Sequence, residues 1–345
     1  MSSLAKAIGP RAVVLPYSIG NLPKLIIGGA VFNTQYHEDP LKLPVTAMLK
    51  KAFLLGANAI DTSPYYGPSE EILGKALKQL AAEEGITRDQ YYICTKAGRL
   101  QLDDFDYSRA WVRQSVERSM ERLGTNYIDL VYMHDIEFVE EPQIFEALKE
   151  LKLLKNEGKI RNFGISGYPV DLLLKVSTQC VTEPEIGQLD AILSYSHGCL
   201  QNTSLFAKAD EFFTDAKLTK LLNGSILSMS LLRSGKTHNF HPASNDLKQA
   251  VYEVAQTLKR EDGVELADLA TRFALKRWLF EGPQASANKT SIVLGVSDLE
   301  ELDAALDSYW RVANGVDVEK DEQLFAKVQK LLGPHLNETW KSGLY

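Results

Sequence analysis

Eight short runs of aliphatic and β-branched residues alternate with longer amphipathic stretches along this chain, and that alternation constrains the fold more than any other feature. The runs cover 24–28, 57–61, 91–95, 128–133, 162–165, 189–195, 225–230 and 291–294. Between them lie helical patterns such as 45–55, 69–85, 109–123, 143–156 and 247–260, in which apolar residues recur every three or four positions. Gly56, Gly85, Gly124 and Gly158 each stand where such a pattern stops, as helix-terminating glycines do. Strands that alternate with helices pair in parallel, and eight of them can close a barrel. A doubly wound open sheet would need a glycine-rich dinucleotide turn after an early strand, and Ile27-Gly28-Gly29-Ala30 does not supply one.

The expected architecture is therefore a (β/α)8 TIM barrel in one domain spanning 1–345. Residues 11–17 would form an N-terminal β-hairpin covering the bottom, and long loops would lie at the C-terminal face. Residues 234–246, polar and rich in turn formers, would be one of those loops. Residues 318–345 would form a helix and a tail folded over the surface. A length of 345 residues suits a barrel with insertions, and the net charge of -7 without a dense Lys/Arg stripe argues against nucleic acid as a partner. No run approaches the roughly 18 apolar residues of a membrane span. The N-terminus lacks a signal-peptide pattern, and three cysteines without metal-like spacing suit reduced thiols, so a cytoplasmic protein is expected.

Four residues at or just beyond the ends of successive runs carry the candidate chemistry: Asp61, Tyr66, Lys96 and His134. Barrel enzymes place their active sites at that end of the strands. A phenol is unreactive near neutral pH because its ordinary pKa is about 10, and an ammonium beside it favours the phenolate. Asp61 would hold Lys96 as an ion pair, while His134 would hydrogen-bond and orient a substrate oxygen. That set suits proton transfer to or from an oxygen, the acid–base half of interconverting an alcohol and a carbonyl. Singly, each residue has a plainer role: Asp61 as a helix N-cap, Lys96 as a surface lysine, His134 as a satisfied core histidine. Their coincidence at three successive strand ends favours the catalytic reading. His238 and His241 share one loop without a carboxylate or cysteine at ligand spacing, so no metal site is expected.

The segment Asp61-Thr62-Ser63-Pro64-Tyr65-Tyr66-Gly67, with Ser69-Glu70 and Leu73-Gly74 behind it, resembles the signature of the aldo-keto reductases. Lys96 and His134 fall where that family has its lysine and histidine. The resemblance implies a nicotinamide cofactor bound without a Rossmann domain, and direct hydride transfer. Within the family the chain looks most like the branch that oxidises aldoses such as D-arabinose and L-galactose with NAD. It also implies cofactor contacts from Gly29, Ser166, Ser230, Leu232, Ser234, Gly295, Ser297 and Glu301. Where the family carries Asn, Gln and an aromatic anchor, this chain has Gly167, Leu193 and Met229. No Lys or Arg lies between Gly295 and Ala305, so a 2′-phosphate would meet Asp298, Glu300 and Glu301, and NAD is expected over NADP. Those acids would equally suit the start of a helix. Phe32, Tyr65 and Tyr107 are the expected substrate-binding aromatics, for a small sugar as partner, in a monomer or homodimer. A general aldehyde reductase and a redox-sensing auxiliary subunit stay open as alternatives.

Overall fold

The computed structural model describes residues 7–8 and 18–345. Its centre is a closed barrel of eight parallel strands in sequence order: β1 (Leu25–Gly28), β2 (Ala59–Asp61), β3 (Tyr92–Ala97), β4 (Ile128–Met133), β5 (Ile160–Gly167), β6 (Ala191–Tyr195), β7 (Lys220–Gly224) and β8 (Thr290–Gly295). Closure is made by β1 against β8, with Leu25 opposite Ile292 and Gly28 opposite Gly295. The surrounding helices are α1 (Val45–Leu54), α2 (Ser69–Glu84), α3 (Arg109–Leu123), α4 (Glu141–Asn156), α5 (Val170–Thr182), α6 (Ser204–Thr214), α7 (Asn245–Asp262), α8 (Leu266–Leu275), α9 (Gly282–Ser286), α10 (Leu299–Ala313) and α11 (Val318–Leu332). The expected (β/α)8 barrel is what the chain forms. The expected hairpin at 11–17 lies outside the described residues.

Two glycines show how local chemistry fixes the boundaries. Gly85 and Gly124 end α2 and α3 in the left-handed conformation, with φ of 65° at each, a region that costs a side chain but not glycine. The seventh strand corrects the expectation. Residues 225–230 hold a short apolar run that looks like a strand, but β7 is Lys220–Gly224, and Ser225, Ser228, Met229 and Ser230 all have positive φ. Backbone in that region cannot pair in a sheet. The aromatic-anchor position assigned to Met229 is therefore off the strand, in the turn beyond it.

Side chains divide the interior into two layers. Those pointing outward from the strands pack under the helices in a large apolar cluster that includes Ile60, Ile93, Val131, Phe163 and Ile192. Those pointing inward fill the barrel with Ile26, Ala59, Tyr92, Cys94, Leu130, Tyr132, Ala191, Leu193, Leu222 and Val293. Side chains alternate with a period of two along a strand. Two residues on from Ala59, Cys94 and Tyr132 stand Asp61, Lys96 and His134, so the same alternation lifts them into one layer above the apolar filling. That layer is the floor of the barrel's C-terminal mouth.

Candidate active site

Lys96 is 2% exposed, and its ammonium donates to Asp61 Oδ1 at 2.5 Å and to the Thr62 carbonyl at 3.0 Å. The ammonium also lies 4.8 Å from the centre of the Tyr66 ring. Tyr66 sits in a turn beyond β2 that is pinned at several points. Its N–H donates to the Ser63 carbonyl and its carbonyl accepts from Ser69, while the Ser69 hydroxyl donates to the Gly29 carbonyl. Opposite the phenol stands His134, its ring edge-on to Tyr66 at 5.6 Å between centres. The histidine's backbone is fixed from both sides, its N–H donating to Ala97 and its carbonyl accepting the Tyr107 hydroxyl at 2.6 Å.

The electrostatics follow from burial and from the charges enclosed with it. Burial pushes the Tyr66 phenol up to about 12; Lys96 pulls it back, and Asp61 and Asp135 push it further up. Burial works against the Lys96 ammonium, but Asp61 and Tyr66 outweigh it and hold its pKa above the ordinary lysine value. Burial also raises Asp61, with Lys96 opposing. For His134, burial and then the positive charges of Lys96 and Arg99 drive the pKa well below the ordinary histidine value, so the imidazole is neutral at pH 7. Ser63 Oγ accepts from the Tyr65 N–H and lies 3.0 Å from His134 Nδ1. With that acceptor role filled, the serine proton is best given to Nδ1. The histidine's own hydrogen then sits on Nε2, a tautomer assigned from hydrogen-bond economy. The site thus offers one phenolic proton donor or acceptor backed by a fixed cation, and one neutral N–H donor across from it.

The remaining expected residues divide. Ser166, at the upper end of β5, is buried and donates to the Met133 carbonyl. Gly29 opens the short turn after β1 and Gly295 ends β8, exposed. Ser230 stands in the left-handed turn beyond β7. Five of the expected residues are buried or engaged within the chain. Phe32 does not border the mouth: it is 0% exposed and packs in the large outer core. Tyr107 is likewise buried, its hydroxyl spent on His134. Leu232 is turned into a second apolar cluster with its N–H bonded to Leu227, and Ser234 gives its hydroxyl to Glu265, so that N–H and that hydroxyl are both engaged. Glu301 accepts from both the N–H and the hydroxyl of Ser297, while Asp298 accepts from the Glu301 N–H. These acids cap α10, the plainer of the two readings. Tyr65 alone of the expected aromatics is part-exposed, edge-on to His134.

Two residues that sequence reasoning missed shape the same mouth. Asp135 follows His134 with φ of 56° and receives a buried ion pair from Arg99. Glu137 is 0% exposed and accepts from the Tyr168 N–H at 3.0 Å and the Ser342 hydroxyl at 2.9 Å. A Cβ at Gly167 would lie 2.5 Å from Glu137 Oε2, so this acid fills the space a longer side chain would take there. The C-terminal tail folds over the same corner: Leu344 donates to the Glu137 carbonyl and Trp340 stacks on Tyr168 at 4.5 Å. Only the unusual acid pair in Met133-His134-Asp135-Ile136-Glu137 was a signal in the sequence.

Comparison with known proteins agrees with this geometry. Residues 24–319 match the Aldo/keto reductase family. The chain is 49% identical to D-arabinose 1-dehydrogenase of Saccharomyces cerevisiae, over 96% of this chain and 97% of that one. It is 32% identical to L-galactose dehydrogenase of Arabidopsis thaliana, over 92% and 91% respectively. A solved Pseudomonas aeruginosa structure assigned to the aldo-keto reductases superposes with a TM-score of 0.59 at 21% identity, covering 89% of this chain and 98% of that one, a likeness of fold. The chain belongs to the aldo/keto reductase family and is an oxidoreductase.

Proposed function

We propose that this aldo/keto reductase is an NAD-linked aldose 1-dehydrogenase, taking D-arabinose or a related sugar such as L-galactose or L-fucose to its aldonolactone. The observation that carries the reading is the buried Asp61–Lys96 pair behind the Tyr66 phenol, with a neutral His134 facing it. The likeness to two sugar dehydrogenases over nearly the whole chain supports the substrate class.

The upper ends of β6 and β7 fit a dinucleotide. Buried Ser194, Ser196 and Ser228 hydroxyls and Asn223 Oδ1 have no hydrogen-bond partner among the described residues. Buried polar groups ordinarily have one, and a polar ligand supplies it. Beside them Ser228, Met229 and Ser230 are consecutively left-handed, at roughly 1–3 kcal/mol each, and strain of that kind gathers at ligand clamps. Ser166 and Ser230 would hold the cofactor, and the acids capping α10 give no cation for a 2′-phosphate, hence NAD over NADP. When bound, the nicotinamide ring supplies the acceptor for the hydride that leaves C1.

The chain's own residues do the rest. Tyr66, as phenolate, takes the proton of the C1 hydroxyl while the C1–O bond becomes a carbonyl. Lys96 holds the phenolate by charge, and Asp61 keeps Lys96 in place and charged. His134 Nε2 donates to the substrate oxygen and orients it. The test is initial-rate measurement at 340 nm with D-arabinose, L-galactose, L-fucose and D-glucose, each with NAD and NADP, beside the Tyr66→Phe variant. NAD-dependent oxidation of one of the first three, reduced about 10²- to 10⁴-fold in the variant, is the expected result. Turnover with NADP alone would overturn the cofactor choice, and no oxidation of any sugar would overturn the function.

A further inference from the structure

The Arg99–Asp135 pair transfers no proton in the chemistry above, yet it sits against it. Asp135 Oδ2 lies 3.5 Å from His134 Nε2, the nitrogen that faces the reacting oxygen. Its charge is among those felt by Tyr66. Asp135 and Arg99 are both deeply buried, with side chains 5% and 11% exposed. Placing such a pair in the wall of a mouth costs desolvation, and the φ of 56° at Asp135 costs more. An apolar pair would spare the desolvation, so stability alone does not account for the charges.

The division of labour within the pair can be read from its contacts. Arg99 is held at each of its three nitrogens: Nη1 donates to Asp135, Nη2 to the Leu102 carbonyl at 2.9 Å and Nε to the Gln101 carbonyl at 3.3 Å. Its guanidinium lies 4.1 Å from the centre of the Tyr65 ring and is flanked by Phe105 and Phe138, themselves stacked at 4.8 Å. Arg99 is thus a fixed bracket, held by two backbone carbonyls and by the three rings around it. Asp135 is held through Oδ2 alone, and among the described residues nothing donates to its Oδ1. A carboxylate anchored by one oxygen, with the other unclaimed, accepts a hydroxyl.

Resting on the function proposed above, we propose that Asp135 binds the hydroxyl on the carbon next to the reacting one, and so makes the enzyme select for its C2 configuration. A substrate whose reacting oxygen meets His134 Nε2 brings its vicinal hydroxyl one oxygen–oxygen spacing away. The Asp135 carboxylate begins 3.5 Å from Nε2, at Oδ2, which puts it within reach of a hydroxyl so placed. Arg99 is a positioning residue, acting through Asp135.

The decisive substrates are D-arabinose, 2-deoxy-D-ribose and D-ribose. The second lacks only the C2 hydroxyl of the first, and the third carries it inverted. A hydrogen bond to a charged group is worth about 10- to 100-fold, so wild-type kcat/KM should favour D-arabinose over 2-deoxy-D-ribose by about that factor. In Asp135→Asn the ratio should fall toward one, and D-ribose should gain on D-arabinose. Arg99→Lys, which keeps the charge but loses the fork, gives a second reading should Asp135→Asn fold poorly, with partial loss of the same ratio. A ratio retained in both variants, or lost activity on all three sugars in equal proportion, would overturn the assignment. Were the wild type to oxidise no aldose, the function above would fall by itself. Calorimetric titration of the two pentoses into NAD-saturated Tyr66→Phe enzyme would then decide the contact. Tighter binding of D-arabinose that Asp135→Asn levels upholds it, and equal titrations overturn it.

Discussion

Replacing Lys96 with methionine separates a structural role of the Asp61–Lys96 pair from a catalytic one, because its cost should depend on pH. Both side chains are almost wholly buried, at 2% and 3% exposure, and joined at 2.5 Å. Breaking a buried pair by removing one partner ordinarily costs about 3–5 kcal/mol, since a charge is left uncompensated. Here that cost has a ceiling. Without Lys96, Asp61 can escape by taking a proton, at about 1.4 kcal/mol for each pH unit above its unfolded value of about 3.9. At pH 7 the ceiling is about 4 kcal/mol, and at pH 5 about 1.5 kcal/mol. The sign follows from burial: it raises the folded-state pKa of Asp61, so stability is present at low pH and lost as pH rises. A pH-independent part of about 1 kcal/mol is added by the lost bond to the Thr62 carbonyl. Urea unfolding followed by tryptophan fluorescence at pH 5, 6 and 7 would measure this in wild type, Lys96→Met and Lys96→Met/Asp61→Asn. The single variant should lose ground steadily from pH 5 to 7, and the double variant should show no such slope. A penalty for Lys96→Met that is flat across this range would mean that Asp61 is not the group bearing the cost, and the electrostatic account of the site would fail.

Four further outcomes follow from the same geometry. With Tyr66 pushed up to about 12, the phenolate fraction grows tenfold per pH unit, so log kcat/KM for oxidation should climb from pH 7 to 9 with a slope near one. With His134 held well below its ordinary value, the profile should show no inflection near pH 6.5; an inflection there would contradict a buried neutral imidazole. Gly167→Asn should destabilise by about 1–3 kcal/mol because its side chain meets Glu137, and Glu137→Ala in the same chain should recover most of that in thermal unfolding. Glu301→Ala should cost about 1 kcal/mol of stability through the lost cap on α10, and leave the ratio of NAD to NADP turnover as it was; a changed ratio would return Glu301 to the cofactor.

How far the sequence discloses this molecule depends on whether the information is local. Strands at 128–133 and 291–294 were legible because a parallel barrel strand is apolar on both faces and bounded by turn formers. Asp61, Lys96 and His134 were legible because one period-two pattern puts all three above the apolar filling. Strand seven was misplaced because the apolar residues of Ser225-Ile226-Leu227-Ser228-Met229-Ser230 look like a short strand, whereas the strand itself, Lys220–Gly224, carries Lys220 and Asn223, polar by type yet buried. The left-handed residues of 225–230 are imposed by the turn, not by residue type, since serine and methionine carry no preference for that region. Phe32 and Tyr107 show the same limit: an aromatic in a loop gives no sign of whether it faces the mouth or the core. The meeting of Glu137 with Gly167 and Ser342 joins segments far apart in sequence, and no local pattern records it.

That last meeting also sets an order of assembly. A ribosome makes Glu137 about two hundred residues before it makes Ser342 and Leu344. Until they arrive the carboxylate keeps only the partners on β5 and β6, and the carbonyl of residue 137 lacks the Leu344 N–H. The corner of the mouth beside His134 is therefore finished after every strand of the barrel has been synthesised. A nascent chain can therefore own a complete barrel while this corner of the pocket is still unsealed.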